Sequence, residues 1–315
     1  MAWAIETVDN SGGTLAYHKV LADIKALAEA NGWTTLRYVD TGDDRELIMR
    51  GEGLSGTEEI FVGFKCYHSV SGDYYNLAGA TMVGYVAGNP FEGQPGISIS
   101  GIPCHNNAVT YYIACNPQRI AGCFKVGIPV YEHFYFGKFF PHARRGEYPA
   151  PLMAAGMLNG AAPVRFSDLT HSFPYKGAGA APNFLHVRSQ MGMWLMPRTW
   201  PWMDRIDPAR VLAGPATDRY QRCVAPLNGQ YTPLRVVLFE PNANVFGELD
   251  GVFQVSGWDN GVENVLQVGG TPVDQTGLSV KEAVSAILAA GGRAFVCLQD
   301  VYRTAWRDFI ALEMS

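Results

Sequence analysis

The sequence carries little charge and has no segment of the kind that enters a membrane. Charged residues make up 17% of its 315 residues and hydrophobic residues 48%, whereas a typical charged share is about 25%. No run approaches the roughly 20 apolar residues of a transmembrane helix. Residues 1–6 have neither the basic nor the apolar region of a secretory signal. We therefore expect no membrane partner. The low charge indicates either a large ordinary core or a surface that neighbouring subunits cover.

The sequence also lacks the local motifs of cofactor, metal and catalytic sites. It contains no C-x-x-C, no H-x-x-x-H or H-x-H pair and no phosphate loop. Residues 96–101 imitate a nucleophile elbow around Ser98, but Ser100 stands where that motif requires glycine. Residues 177–182 begin like a dinucleotide-binding loop and end in proline. We therefore predict no cofactor, no metal and no catalytic residue.

The formal net charge of −5 disfavours nucleic acid as a partner, because binding along phosphates requires many Lys and Arg side chains. The basic pair Arg144 and Arg145 is interpreted as solvated loop charge or as partners of acidic residues. The six cysteines are scattered through apolar surroundings. Cys115 and Cys123 flank the turn of a predicted hairpin, so either a disulfide between them or free buried thiols fit the pattern, and cytosolic assembly favours free thiols.

The composition, with 35 Gly, 19 Pro and 12% aromatic residues, is typical of a protein with many turns and strands. Within the central stretch, residues 119–152, two strand-like runs cover residues 120–126 and 130–140. The second run is aromatic on both alternating faces: Phe134, Phe136 and Phe140 on one, Tyr131, Tyr135 and Phe139 on the other. A strand that is apolar on both faces must be covered on both. Three prolines and Gly146 then predict a stiff, extended segment over residues 141–151.

Periodicity along the rest of the chain predicts an α+β fold that is mainly antiparallel β. A helix is predicted over residues 14–31, ended by Gly32, and another over residues 281–290, ended by Gly291 and Gly292. Strands are predicted over residues 33–39, 46–50, 59–70, 80–87, 108–115, 119–126, 184–189, 234–240, 249–255, 262–268 and 293–299, with a closing edge strand over 306–312. The organisation predicted is a helix-plus-sheet module (1–152), an ordered excursion rich in Gly, Pro and Trp (153–233) and a β-rich C-terminal part (234–315).

Two groups of residues carry a family resemblance. The central group is Arg119, Tyr131-Glu132, Tyr135, Gly137, Pro141 and residues 148–152 (YPAPL). The C-terminal group is residues 247–253 (GELDGVF), 256–258 (SGW), Glu263-Asn264, Gly269-Gly270, 298–304 (LQDVYRT) and Asp308-Phe309. Together they resemble structural proteins encoded in tailed-phage and prophage tail modules, over roughly the central and C-terminal thirds. The resemblance implies a virion structural protein of a tail, baseplate or neck, assembled in the bacterial host cytoplasm. It brings no catalytic motif.

We therefore expect a protein that acts by subunit assembly, as a homo-oligomer and with other virion proteins. Its aromatic, proline-stiffened arms are the expected contact segments, and intramolecular packing is the alternative for each residue. The candidate contact residues are Phe140, Arg144, Arg145 and Tyr148 in the first arm and Trp194, Trp200 and Trp202 in the second.

Two other classes of function remain open. In a receptor- or glycan-binding module of the tail, exposed aromatic residues would stack on host-surface sugars. In a tail-associated hydrolase of envelope polysaccharide, paired carboxylates would cleave the glycosidic bond. The acidic residues available for such a pair are Glu240, Glu248, Asp250, Asp259 and Glu263. His133 and His142 could meet across a turn, but a structural role for them is favoured.

Overall fold

The computed structural model describes residues 2–69, 71, 74–104, 107–127, 129–144, 146–159, 173–176, 184–200, 232–256, 267–268, 271–272, 284–285, 287–290, 293–303 and 308–315. These residues form one α-helix and three large antiparallel sheets, which confirms the predicted α+β, mainly antiparallel β class. Nowhere in this part of the chain is a helix both long enough and apolar enough to span a membrane.

The three sheets are named here by their place in the fold. The central sheet contains, in spatial order, β1 (Ala2–Asp9), β7 (Ala108–Asn116), β8 (Arg119–Gly127), β9 (Val130–Lys138), β11 (Leu152–Gly156), β13 (Phe184–Arg188) and β14 (Trp194–Leu195). The N-terminal sheet contains β12 (Leu158–Asn159), β6 (Ser98–Pro103), β5 (Tyr74–Met82), β4 (Ile60–Ser69), β3 (Glu46–Gly51) and β2 (Trp33–Val39). The C-terminal sheet contains β15 (Arg198–Trp200), β16 (Thr232–Glu240), β17 (Val245–Ser256), β22 (Phe309–Glu313), β21 (Arg293–Gln299) and β20 (Ile287–Ala290), and β10 (Phe140–Pro141) also pairs with β17. A separate two-stranded pair joins β18 (Gln267–Val268) and β19 (Thr271–Pro272).

The central sheet lies between the other two, and strand β9 shows why. Phe134 and Phe136 pack in a core shared with the N-terminal sheet. Tyr131 and Tyr135, together with Phe139 just beyond the end of β9, pack in a second core shared with the C-terminal sheet. The strand predicted over 130–140 ends at Lys138, and Phe140 does not join Phe134 and Phe136 but lies in β10, which pairs with the C-terminal sheet. Both faces of the strand are therefore covered, as its double aromatic pattern predicts. The molecule is consequently a three-layer stack with two cores.

The predicted N-terminal helix is confirmed as α1 (Ala16–Glu29). The Asn10 side chain accepts a hydrogen bond from the Ala16 backbone N–H at 2.8 Å, which satisfies one of the free donors at the start of the helix. Gly32 follows the helix with a φ of +87°, a conformation that favours glycine. The buried face of α1 packs in the core between the central and N-terminal sheets. The helix thus closes one side of that layer.

The strands of the N-terminal and central sheets match most of the predictions, with one shift and five omissions. The strand predicted over residues 80–87 is observed as β5, which ends at Met82. The chain turns there because the Val83 N–H bonds to the Pro95 carbonyl at 3.0 Å and begins a loop. Strands β1, β6 and β11 and the two-residue strands β12 and β14 were not predicted. Strand β11 crosses the boundary predicted between the first part of the chain (1–152) and the second (153–233). The described residues after β11 contribute strands to all three sheets.

The prediction of a helix over residues 281–290 is wrong for the residues that the structure describes. Residues 287–290 form β20, in which Ala290 pairs with Arg293 of β21. The two strands are therefore separated by only two residues, Gly291 and Gly292, a dipeptide as typical of a hairpin as of a helix end. The closing strand is observed as β22, but it lies between β17 and β21 and is not an edge strand. Of the strand predicted over 262–268, residues 262–266 lie outside the described residues.

The pairing of β7 with β8 confirms the predicted hairpin and excludes the disulfide between Cys115 and Cys123. Cys115 packs in the core on one side of the central sheet and Cys123 in the core on the other. The two thiols therefore point to opposite faces of the sheet and cannot be bridged. Both are free and buried. Cys223 lies outside the described residues.

Candidate interaction surface

The outer side of the C-terminal sheet presents aromatic side chains to solvent. Strands β10, β17, β16 and β15 lie side by side there, with Phe140 opposite Glu248 and Phe246 opposite Phe239. Leu238 of β16 is buried against the central sheet, so its neighbours Val237 and Phe239 lie on the other side. This surface is called the outer aromatic face, and its residues are Phe140, Arg198, Val237, Phe239, Phe246 and Glu248, the last of which lies opposite both Phe140 and Val237.

The exposure of the phenyl rings sets this face apart from the two buried cores. Phe140 is 36% exposed and Phe246 is 39% exposed. The alternation of side chains from Phe139, directly before β10, to Phe140 causes this arrangement. Phe139 fills the core, and an added Cβ at Gly247 would overlap its ring, so glycine at that position makes room for it. Exposed aromatic side chains grouped on one sheet are typical of a binding surface.

Three methionines border the outer aromatic face. Met191, Met193 and Met196 are 79%, 54% and 48% exposed. The turn that carries the first two is closed by a bond from the Ser189 N–H to the Met193 carbonyl at 2.7 Å. The Gln190 amide reaches the Asn244 carbonyl at 3.5 Å, which places this turn beside the start of β17. Methionine is flexible and polarizable, so it adapts well to a partner surface.

Two arginines give the rim of this face a positive charge. Arg198 in β15 and Arg144, which follows β10, are both exposed. Within the described part of the chain, neither has an ion-pair partner. Arg235 of β16, by contrast, pairs with Glu248. Arg144 and Arg198 therefore remain available for acidic groups of a partner.

Two of the candidate contact residues lie at this surface. Phe140 belongs to the outer aromatic face and Arg144 to its rim. Trp200 is paired with Val237 through its backbone, and its side chain lies outside the described part, as do Arg145 and Trp202. Periodicity did not single out Phe239, Phe246 or Arg198. The alternation of β16 could have identified Phe239, because its neighbour Leu238 faces the core and adjacent residues of a strand point to opposite sides.

Trp194 lies elsewhere in the molecule. Its indole N–H donates to the Gly96 carbonyl at 2.8 Å, and its half-buried ring packs against the core between the central and N-terminal sheets. This is the side of the central sheet that faces away from the outer aromatic face. Trp194 therefore ties two parts of this chain together.

Tyr148 is a core residue of this chain, which corrects its place among the candidate contacts. Its side chain is 2% exposed. The ring packs edge-on against Phe139, with 5.9 Å between ring centroids. The proline-rich segment around Tyr148 therefore turns this aromatic side chain inward, where a partner cannot reach it.

The three described acidic residues considered for glycan cleavage have separate partners. Asp250 is buried between the central and C-terminal sheets, where it accepts bonds from Asn116 at 2.7 Å and Gln118 at 2.8 Å and lies 3.4 Å from the Arg119 guanidinium. Glu248 pairs with Arg235 on the surface. Glu240 accepts a bond from the Asn242 N–H, while Asp259 and Glu263 lie outside the described residues.

His133 and His186 occupy structural positions in the described part of the chain. His133 is fully buried, its Nε2 lies 2.8 Å from the Gln299 carbonyl and its ring packs on Phe173, and burial lowers its pKa to about 3. His142 is exposed, so the two histidines do not form a pair. His186 Nδ1 lies 3.1 Å from the Ser98 hydroxyl and joins β13 to β6. Across the described ranges, no group of three or more His, Cys, Asp or Glu side chains is placed to hold a metal ion.

Comparison with known proteins leaves the surface to be interpreted from its own geometry. No protein-family model matches this sequence, and no curated protein matches it.

Proposed function

We propose that this protein is a structural subunit of a tailed-phage virion, from a tail, baseplate or neck, and that it acts by assembly. The observation that carries the assembly role is the outer aromatic face with its border of exposed methionines. The phage context comes from the resemblance of the central and C-terminal residues and stays a prediction. In this role the three stacked sheets are the rigid scaffold, and the face is the part that binds a neighbouring subunit.

The composition of the face fits a lasting contact. The centre of a stable interface is enriched in aromatic residues, Met and Arg. The one acidic residue of the face, Glu248, is paired with Arg235. Phe140, Phe239 and Phe246 supply the aromatic centre, Met191 and Met193 the adaptable border and Arg198 the charge. Water is released from these side chains when a partner covers them, and this release drives the association.

The test is the mass of the purified protein in solution by light scattering, with electron microscopy of the same sample. We expect a defined oligomer. Changing both Phe140 and Phe246 to Ser removes two phenyl groups from the contact, which should cost about 2 kcal/mol, or roughly thirtyfold in the dissociation constant.

The matched control changes Leu54 and Val86 to Ser. These side chains are 56% and 45% exposed and lie in loops of the N-terminal sheet. The control should assemble like the unchanged protein. A monomer at every concentration, or equal weakening by both double variants, would contradict the assembly role of this face. Circular dichroism of each variant checks that the fold is retained.

A further inference from the structure

The partner of the outer aromatic face can be inferred from an unpaired acidic surface on the opposite outer layer. The outer aromatic face belongs to the C-terminal sheet. The turn between β2 and β3, residues 40–45, belongs to the N-terminal sheet. Because the central sheet separates these two layers, one molecule cannot bring the face and the turn together. Two molecules can.

The turn, called the acidic turn, carries three free carboxylates. Asp40, Asp43 and Asp44 are exposed, and among the described residues none of them has an ion-pair partner. Val39, immediately before them, is 38% exposed. The turn also contains Arg45, whose guanidinium donates to the Gly42 carbonyl at 3.3 Å. It therefore combines an exposed apolar side chain with an excess of negative charge.

The backbone of the acidic turn is held in place. The Asp43 carbonyl oxygen lies 3.1 Å from Nε2 of His18 on helix α1. The Arg45 carbonyl accepts a hydrogen bond from the Cys66 N–H of β4 at 2.8 Å. A partner would meet a turn that is already ordered, so little conformational entropy would be lost on binding.

The two surfaces are complementary in charge and in apolar character. Arg144 and Arg198 lie unpaired on the rim of the outer aromatic face, where Phe140 and Phe246 are exposed. Opposite charges across an interface fix its register and speed the encounter of the partners. An arginine also matches a carboxylate with two parallel hydrogen bonds. Val39 would cover part of the aromatic surface between these pairs.

We propose that the outer aromatic face binds the acidic turn of a second copy of this chain, head to tail. This inference rests on the proposed assembly function and names its partner. Because each copy keeps one free face and one free turn after the contact forms, further copies add in the same way. Such a contact closes into a ring or continues as a filament.

Two charge-reversal variants test the contact. The face variant carries Arg144→Glu and Arg198→Glu, and the turn variant carries Asp43→Lys and Asp44→Lys. Every head-to-tail contact needs one face and one turn, so each variant alone should be a monomer by light scattering. When the two variants are mixed in equal amounts, the intact face of the turn variant should bind the intact turn of the face variant. The Glu side chains on the face of the face variant are in turn complementary to the Lys side chains on the turn of the turn variant, so the mixture should assemble beyond a dimer.

Two control variants each reverse a single charge outside both surfaces. Lys25→Glu alters helix α1, and Glu59→Lys alters an exposed residue beside β4 that is 3.8 Å from Arg50. Both controls should assemble like the unchanged protein. An assembling turn variant, or a mixture that stays monomeric, would overturn the head-to-tail contact while the assembly function stands. An unchanged protein that is itself a monomer would instead refute the assembly function.

Discussion

Removal of one charge from the buried Arg119–Asp250 pair should destabilise the protein strongly. Arg119 is 0% exposed, and its guanidinium donates to the Ala114 carbonyl at 3.0 Å and lies 3.4 Å from the Asp250 carboxylate. Asp250 also accepts from Asn116 and Gln118, so the pair joins the β7–β8 turn to the C-terminal sheet. The two perturbations are Asp250→Asn, which keeps an acceptor oxygen for both amides, and Arg119→Met, which keeps the apolar length.

The magnitude follows from the burial of both groups. Breaking a buried pair by removing one partner leaves an uncompensated charge and costs about 3–5 kcal/mol. A domain has only about 5–15 kcal/mol of total stability, so either single variant should lose a large share of it. The double variant removes both charges, so no charge is stranded. It should therefore cost at least about 2 kcal/mol less than the sum of the single variants.

Urea unfolding followed by circular dichroism measures these free energies for the unchanged protein and the three variants. The reasoning is refuted if Asp250→Asn changes the free energy of unfolding by less than about 0.5 kcal/mol, the scale of an ordinary surface substitution. Additive effects of the two single substitutions would also refute it, because additivity would mean that the groups do not interact.

Two further stability predictions come from the cores. Gly79→Ala should lower the free energy of unfolding by about 1–3 kcal/mol, because the added methyl group would overlap the Phe136 ring. The control Gly88→Ala has open space at its Cβ and should change the free energy of unfolding by less than about 0.5 kcal/mol. Thermal unfolding of the two variants compares them. His133 has a folded-state pKa of about 3, below its ordinary value of 6.5, so between those pH values only the unfolded chain binds the proton. Its contribution to stability is therefore complete above pH about 6.5 and falls by about 2 kcal/mol between pH 7 and pH 5. Urea unfolding at both pH values should show a smaller pH effect in His133→Asn, and an equal effect would remove His133 as a cause.

Local patterns were sufficient where one element carries its own signal. The spacing of apolar residues located helix α1, and the double aromatic alternation of β9 predicted that both of its faces would be covered. These signals depend on side-chain directions that repeat every 3.6 residues in a helix and every two in a strand. They can be read without knowing the neighbouring elements.

Patterns failed where a distant partner decides between two local solutions. The alanine-rich residues 287–290 have good helix propensity, but they pair with β21, and tertiary pairing overrides a weak local preference. Likewise, the proline-rich surroundings of Tyr148 indicate a surface arm, whereas the ring fills space beside Phe139. Neither outcome can be read from the residues nearest in sequence.

The sequence by itself determined the fold class, the main helix, most strands of the first half and the need for two covering layers. The tertiary structure alone decided which of the aromatic residues are exposed. Phe139 and Phe140 are adjacent and identical in type, yet one lies in the core and the other on the outer aromatic face. The physical reason is that alternation assigns two sides to a strand, and only the packing of the sheets decides which side meets water.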